Sequence, residues 1–322
     1  MLTEIELTNF RGFSSLKLSG LGPVNLIVGM NNVGKTSLLE AVSLLGGEGL
    51  KGNFHQLYRD TPTPLQQTFY ALLRKDGIGG GAECSLVAKA GQGDERIVYL
   101  DEKHQRNMQV QPQGRPQPQS QGSIGNLQVT SFGMGSKFES RAASGRSDNA
   151  QQKLTRLSKL LESGEQEDRL LQMLRVLDER VDAVRILSQN GHSYVAVGFD
   201  KKQRVPVAQV GQGMERVIAI FSEILGEKAD ICCIDEIENG LHHTALTKIW
   251  TGIAEIAERL GVQLFITTHS RECLTAAHEV FSERKHYDLR VIQLYRVHDQ
   301  IDGRVIDREM IEAAVESEIE LR

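Results

Sequence analysis

A glycine-rich segment near the N-terminus has the residue types and spacing needed to hold a triphosphate. Residues 29–36 read GMNNVGKT, which fits the pattern G-x-x-x-x-G-K-[ST]. Glycines permit backbone angles that a side chain forbids, so main-chain N–H groups can approach phosphates closely. Lys35 would place its charge on the β- and γ-phosphates, and Thr36 would offer a hydroxyl to Mg²⁺. The candidate nucleotide-binding residues here are Gly29, Asn31, Asn32, Val33, Gly34, Lys35, Thr36 and Ser37.

The flanking residues predict the strand and the helix that a phosphate-binding loop requires. Residues 24–28 form a short apolar run, which indicates a buried strand. Residues 35–45 carry apolar side chains at helical spacing. The N-terminus of that helix would direct its positive dipole end at the phosphates. The alternative is a chance match on a glycine-rich turn, and the flanking elements argue against it.

An apolar segment that ends in two acids lies nearly two hundred residues further along the chain. Residues 229–234 are apolar apart from Asp230, and they predict a central parallel strand with a ligand site at its carboxyl end. Asp235 would hold Mg²⁺, directly or through water, and Glu236 would orient or deprotonate an attacking water. Paired acids also begin ordinary solvated loops, but the phosphate-binding segment upstream favours the catalytic interpretation.

A histidine follows a third predicted core strand. Residues 262–268 are mostly apolar or β-branched, and His269 comes directly after them. At the tip of a core strand, His269 could hydrogen-bond the γ-phosphate and respond to its loss. The alternative is a histidine bonded to neighbouring backbone. The two preceding segments favour the functional interpretation.

Five segments of the chain together resemble the ABC-type ATPases related to RecF, SMC and OLD proteins. The resemblance covers residues 1 to about 47 and about 150 to the end. The middle of the chain does not obviously match. The segments that carry the resemblance are residues 5–13, 25–40, 209–217, 235–242 and 267–270.

The resemblance implies further site residues and a dimer. Arg11 would lie near the nucleotide phosphates. Gly211 and Gly213 would contact the γ-phosphate of ATP held by a second subunit, which closes a head-to-head homodimer around ATP and Mg²⁺. Both glycines precede a predicted helix, so the loop could present free N–H groups to an anion. The signature loop departs from the family pattern because Gly211 stands where a serine is expected.

The family also implies the fold class and its division. We expect an α/β fold, the ABC-type P-loop ATPase head. It has a mixed or parallel central sheet with helices on both faces, an N-terminal antiparallel β lobe and a small helical lid insertion. Residues 1–322 would form one domain. Its parts are an N-terminal lobe (1–132), a helical lid insertion (133–204) and a C-terminal lobe (205–322), with a flexible Gln/Pro-rich loop at 103–126.

Composition sets limits on the partners and the compartment. The 322 residues carry a net charge of −5, so there is no global basic footprint for nucleic acid. Basic residues between Lys137 and Lys159 are either a local nucleic-acid patch or a solvated helical face. Four cysteines lack metal-ligand spacing, which suggests reduced thiols and a cytoplasmic location. No apolar run approaches the roughly 20 residues of a membrane span.

The leading hypothesis is an ATPase that dimerises on ATP and drives a separate partner. DNA maintenance or defence against phage is what the resemblance implies, with DNA and a nuclease or effector protein as candidate partners. The chain ends about fifty residues after His269, which leaves too little room for a nuclease domain there. The alternatives are an ATP-gated binding switch with negligible turnover, a P-loop kinase and a transport ATPase.

Overall fold

A computed structural model describes residues 1–46, 83–90, 95–101, 118–124, 127–133, 140–143, 150–225 and 230–317. The strands are β1 (Leu2–Phe10), β2 (Phe13–Ser19), β3 (Val24–Val28), β4 (Glu83–Ala90), β5 (Glu95–Asp101), β6 (Pro118–Ile124), β7 (Leu127–Gly133), β8 (Ser140–Ala143), β9 (Val181–Gln189), β10 (His192–Phe199), β11 (Gln203–Pro206), β12 (Ile231–Ile234), β13 (Gln263–Thr267), β14 (Leu289–Val297) and β15 (Gln300–Ile306). The helices are α1 (Lys35–Gly46), α2 (Ala150–Leu161), α3 (Gly164–Arg175), α4 (Val207–Val210), α5 (Gln212–Leu225), α6 (His243–Leu260), α7 (Arg271–Ser282) and α8 (Arg308–Glu316).

A six-stranded mixed sheet forms the centre of the fold. Its strand order is β15-β14-β3-β13-β12-β8, and only the β14–β15 pair is antiparallel. All residues of β3, β12 and β13 are buried, as expected for parallel strands covered on both faces. Because these strands run parallel, their carboxyl ends meet at one edge of the sheet. The predicted strands at residues 24–28, 229–234 and 262–268 therefore deliver their following loops to the same place.

An antiparallel sheet built largely from the N-terminal part of the chain packs beside the central sheet. Its order is β2-β1-β4-β5-β7-β6. Apolar residues of β1 and β2 point to a shared core, where Leu7 pairs with Leu16 and Phe10 with Phe13. The alternation of residues 84–89 and 96–100 predicts a hairpin, and β4 and β5 form it, with Leu86 opposite Val98. The expected antiparallel N-terminal lobe is confirmed.

Two hydrophobic cores lie on opposite faces of the central sheet. Leu26 of β3 belongs to one core and its neighbour Ile27 to the other, as the alternation of side chains along a strand requires. The first core contains Trp250 and apolar residues of α2, α3 and α5 to α7. The second contains Phe265, apolar residues of α1 and the inward face of the antiparallel sheet. Helices therefore cover both faces, which confirms the predicted fold class.

The segment 133–204 differs from a purely helical lid. Its first described strand, β8, pairs in parallel with β12 and extends the central sheet. Helices α2 and α3 pack into the first core, and β9 to β11 form a three-stranded antiparallel sheet. Arg156 of α2 forms an ion pair with Glu223 of α5, and both side chains are largely buried. Arg156 thus serves packing and not a surface basic patch, whereas positions 144–149 of that basic stretch lie outside the described residues.

The expectation of a flexible loop at 103–126 is wrong over residues 118–124. These residues form β6, which pairs with β7 from Pro118 opposite Phe132 to Ile124 opposite Leu127. The sequence here has few apolar side chains, but an edge strand needs only backbone hydrogen bonds to a neighbour, and it tolerates proline. Residues 102–117 and 125–126 of this segment lie outside the described residues. Residues 65–74, for which the sequence predicts a helix, also lie outside them.

The four cysteines are buried and form no disulfide. Burial raises the pKa of the Cys84 thiol to about 12, so this side chain behaves as a small apolar group. None of the described helices is long and apolar enough to cross a membrane.

The contact between β14 and the end of β3 makes Gly29 irreplaceable. Its φ is +146°, and a Cβ there would lie 2.4 Å from the carbonyl oxygen of Leu294. We expect Gly29→Ala to lower the free energy of unfolding by about 2 kcal/mol or more, because the overlap adds to backbone strain of about 1–3 kcal/mol. Equilibrium urea unfolding measures this change.

Gly164→Ala is the matched control. Gly164 begins α3, and nothing lies within 4 Å of the added Cβ, so the change should stay within about 0.5 kcal/mol. Equal unfolding free energies for the two variants would contradict this account of the β3–β14 contact.

Candidate nucleotide-binding site

The loop between β3 and α1 has the backbone shape of a phosphate cradle. Gly29 and Gly34 have positive φ values of +146° and +89°, and Asn32 adopts +61°. A Cβ on Gly34 would lie 2.9 Å from the ring of Phe13. Asn31 and Asn32 are exposed, Val33 is buried and Ser37 is half-buried at the start of the helix. The loop therefore presents its backbone to solvent while its glycines pack against the N-terminal lobe and β14.

Lys35 is held inside the loop by two carbonyl groups. Its side chain is only 5% exposed, and Nζ donates to the carbonyl oxygens of Gly29 at 2.6 Å and Met30 at 2.8 Å. Burial lowers the pKa of Lys35, and the charge of Asp235 opposes that shift. A triphosphate would supply negative oxygens to replace the neutral carbonyls, so the ammonium group gains from its arrival.

Thr36 and Asp235 face each other across the site. The Thr36 hydroxyl Oγ1 donates to Oδ2 of Asp235 at 3.2 Å. The hydroxyl of Thr267, at the end of β13, donates to Oδ1 of the same carboxylate at 2.5 Å. A threonine hydroxyl and a carboxylate are hard oxygen donors of the kind that Mg²⁺ prefers. The residues present therefore fit a magnesium ion completed by phosphate oxygens and water.

No group of three or more His, Cys, Asp or Glu side chains in the described residues is arranged to hold a metal ion by itself.

Glu236 and His269 form the second half of the site. His269 Nε2 lies 3.4 Å from Oε1 of Glu236, and Asn239 Nδ2 donates to Oε2 at 2.5 Å. The backbone N–H of Glu236 donates to the hydroxyl of Thr267 at 2.7 Å. Glu236 has a φ of +48°, a conformation that costs a residue with a side chain free energy and that clusters at functional sites. The carboxylate is thus fixed from both sides, beside the Thr36–Asp235 pair.

Arg216 of α5 was not predicted, although it connects the signature helix to the two acids. Its guanidinium donates to the carbonyl oxygens of Asp235 and, at 2.9 Å, Glu236. Burial lowers its pKa, and the charge of Asp235 opposes that shift. A usable signal existed in the sequence, since Arg216 follows Gly213 by about one helical turn and so lies on the same helix face.

The structure places Arg11 against α1. Its Nε lies 2.6 Å from Oε2 of Glu40, one helical turn after Thr36. Burial raises the pKa of Glu40 to about 7, and the Arg11 charge opposes that rise. Arg11 thus lies one turn of α1 away from the magnesium candidates, and its expected role near the phosphates stays a prediction.

Gly211 and Gly213 lie at the N-terminus of α5. Gly211 is exposed with a φ of +134°, and nothing lies within 4 Å of where its Cβ would be. A Cβ on Gly213 would lie 2.8 Å from the carbonyl oxygen of Gly240, in the turn after the acids. The signature loop therefore packs against this turn while leaving Gly211 open to solvent. Whether it meets a second subunit stays a prediction.

Two family models match consecutive parts of the chain. The model described as "AAA ATPase domain" matches residues 1–112, and the model described as "AAA domain, putative AbiEii toxin, Type IV TA system" matches residues 120–274. The chain is also 35% identical over 107 residues to the DNA replication and repair protein RecF of Heliobacterium modesticaldum. A solved SMC head bound to the C-winged helix domain of ScpA matches with a TM-score of 0.62, over 97% of this chain and 99% of that one, at 11% identity.

The two family models and the matched relatives support an ABC-type P-loop ATPase of the RecF/SMC family. The chain is 24% identical over 335 aligned residues to an ATP/GTP phosphatase of Helicobacter pylori, covering 88% of this chain and 89% of that protein. The RecF match covers 33% of this chain and 28% of that protein, so it concerns a part of RecF only. The SMC head of Thermotoga maritima matches with a TM-score of 0.51 at 12% identity. At such identities the SMC likeness establishes the fold alone.

The hydroxyl of Thr267 should control the magnesium requirement of the ATPase. Thr267→Val keeps the shape of the side chain but removes the donor to Asp235 and the acceptor for the Glu236 N–H. We expect the Mg²⁺ concentration for half-maximal ATP turnover to rise about 10-fold or more, because loss of a group that orients a metal ligand costs about 10- to 100-fold. Magnesium titration of phosphate release measures this.

Thr267→Ser is the control because it retains the hydroxyl. Its magnesium requirement should stay within about threefold of the parent, even though the lost methyl group costs some stability. If the valine and serine variants need the same magnesium concentration, the hydroxyl does not position Asp235.

Proposed function

We propose that this ATPase binds ATP with Mg²⁺ and hydrolyses it to ADP and phosphate. The observation that carries the proposal is the convergence of the β3, β12 and β13 loops, since the Thr36 hydroxyl lies 3.2 Å from Asp235 and His269 lies 3.4 Å from Glu236. Nucleotide hydrolysis needs a phosphate cradle, a metal ligand and a group that aims water, all within one pocket. The match to an ATP/GTP phosphatase over most of both chains supports the same activity.

Each residue of the pocket has a separate task in this proposal. Lys35 exchanges its carbonyl partners for the β- and γ-phosphate oxygens. Thr36 and Asp235 hold Mg²⁺, which when bound neutralises charge that develops on the phosphate oxygens. Glu236 accepts a hydrogen bond from the attacking water and aims it at the γ-phosphorus, while Asn239 fixes the other carboxylate oxygen. His269 lies beside Glu236, and from that position its ring hydrogen-bonds the γ-phosphate that the water attacks.

Dimerisation on ATP is the second part of the proposal. The exposed Gly211 at the start of α5 offers free N–H groups and the positive end of a helix dipole to an anion. Arg216 ties that helix to the carbonyl groups of Asp235 and Glu236. If Gly211 bound the γ-phosphate of ATP held by a second subunit, a movement of α5 would therefore reach Asp235 and Glu236 through Arg216.

The partner of the ATPase belongs to the same proposal. A partner in DNA maintenance agrees with the partial match to the DNA replication and repair protein RecF, and defence against phage is the other setting that the family resemblance implies. DNA or a separate effector protein would receive the motion of the dimer. A cytoplasmic location agrees with the four buried cysteines, which form no disulfide.

Substitution of the water-aiming carboxylate separates binding from hydrolysis. Glu236→Gln keeps the shape of the side chain and its contact with Asn239, but it cannot accept a proton. We expect ATP affinity within about threefold of the parent and turnover lower by about 100-fold or more, in the range of lost general-base catalysis. Fluorescent-nucleotide binding and steady-state phosphate release measure the two quantities.

The same variant should accumulate as a dimer in ATP and Mg²⁺, because the ATP that closes the dimer is not consumed. Light scattering after gel filtration, with and without ATP, tests this. Lys35→Ala is the control and should stay monomeric, since it loses the phosphate contact. Unimpaired phosphate release by Glu236→Gln would overturn its assigned role, and a monomer in ATP would overturn the dimer.

An ATP-gated switch with negligible turnover is the second candidate function. The observation that favours it is Gly211 in place of the signature serine, which removes a hydroxyl that could contact the phosphate of the partner. If the parent protein binds ATP tightly but hydrolyses it no faster than Lys35→Ala does, the protein is a switch.

A further inference from the structure

Glu238 reaches from the turn after the two acids to the loop that carries the histidine. Its Oε1 accepts a hydrogen bond from the backbone N–H of His269 at 2.6 Å. His269 lies just before the α7 N-cap residue Ser270, so its N–H is outside the hydrogen-bond pattern of the helix. Glu238 therefore supplies the acceptor that this N–H needs.

Among the described residues, three other hydrogen bonds join the same two loops, and all of them end at Thr267, including the bond from its hydroxyl to Asp235. The backbone N–H of Ile237 donates to the carbonyl of Thr267 at 3.1 Å, and the Glu236 N–H donates to the Thr267 hydroxyl at 2.7 Å. These bonds fix the end of β13 and not the residue two positions further on. The Glu238 contact extends the connection to His269, the residue that must meet Glu236.

The second carboxylate oxygen of Glu238 is aimed inward. Its Oε2 is buried and has no hydrogen-bond partner among the described residues. The negative charge of Glu238 also acts on two cations of the site, since it raises the pKa of Lys35 and of Arg216 against the lowering effect of burial. A buried acceptor without a partner costs stability, and residues retained at such a cost often serve function.

We propose that Glu238 is a positioning residue that holds His269 in register with Glu236 through the His269 backbone N–H. The proposal rests on the proposed ATP hydrolysis and adds to it the group that sets the histidine. Glu238 lies two residues after Glu236, so one short turn fixes the water-aiming carboxylate and the histidine together. Loss of the carboxylate would let His269 move away from the γ-phosphate without disturbing the phosphate cradle.

Three variants test the proposal by steady-state kinetics. Glu238→Ala removes the acceptor, and we expect kcat to fall about 10-fold or more with KM within about twofold. Glu238→Gln keeps an oxygen acceptor at the same distance and should retain kcat within about threefold. Glu272→Ala is the matched control. Glu272 lies near the same loop, but its carboxylate accepts a hydrogen bond from Ser270 Oγ and not from His269.

A double-mutant cycle with His269 distinguishes positioning from general damage. If Glu238 acts through His269, then Glu238→Ala combined with His269→Ala should be no slower than His269→Ala alone, because the effects of residues that act as a unit do not add. The proposal is wrong if the fold-losses in kcat of the two single variants multiply in the double variant. It is also wrong if Glu238→Gln is as slow as Glu238→Ala.

A measurement without turnover keeps this test separate from the proposed hydrolysis. The ring resonance of His269 in NMR is identified by its absence from His269→Ala. It should move in Glu238→Ala, because the ring leaves the carboxylate of Glu236, and stay in place in Glu238→Gln. A resonance unchanged in both variants would overturn the positioning role, whereas a parent protein without turnover would overturn the hydrolysis and leave this readout intact.

Discussion

The buried hydroxyl of Thr267 holds the site together. It donates to a carboxylate oxygen of Asp235 at 2.5 Å and accepts the backbone N–H of Glu236 at 2.7 Å. This single group joins the carboxyl ends of β12 and β13, so it fixes the two acids relative to the end of β13. It lies in a fully buried strand, where a hydroxyl must be bonded because no water can replace its partner.

The parallel register of the central sheet makes that hydroxyl available. Ile234 pairs with Ile266 across β12 and β13, and Thr267 pairs with Ile27 of β3. The phosphate loop, the acids and the histidine therefore leave the sheet at the same level. The two cores on either face hold the register, since a slip of one residue would move each side chain of a strand into the opposite core. The positive φ of Glu236 is strained, and the contacts around this residue hold it in that conformation.

The sequence was sufficient for the parts of the site that follow local patterns. The phosphate loop was found from its spacing, and the strands before Asp235 and His269 were found from their apolar runs. The antiparallel lobe was found in part from alternation, as in the β4–β5 hairpin. In each case the necessary information lies within about a dozen neighbouring residues.

Contacts that depend on strand order could not be read from those patterns. The sequence predicts Thr267 as a strand residue, but its hydrogen bond to Asp235 also requires β13 to lie beside β12. Arg216 looked like part of a helix, and its carbonyl partners come from twenty residues further along the chain. The Gln/Pro-rich composition around β6 predicts a loop, because the pairing of this edge strand depends on backbone groups that composition does not report. Arg11 needed the position of Glu40 on α1 before its ion pair could be recognised.

The central claim is that Thr36 and Asp235 hold one magnesium ion within a shared pocket. The most direct test is a double-mutant cycle on the factor by which Mg²⁺ strengthens ATP binding, with Thr36→Val and Asp235→Asn. The account predicts that each single variant loses most of this factor and that the double variant loses no more than the worse single one. Losses that simply add in free energy would mean that the two side chains act at separate places, and would contradict the account.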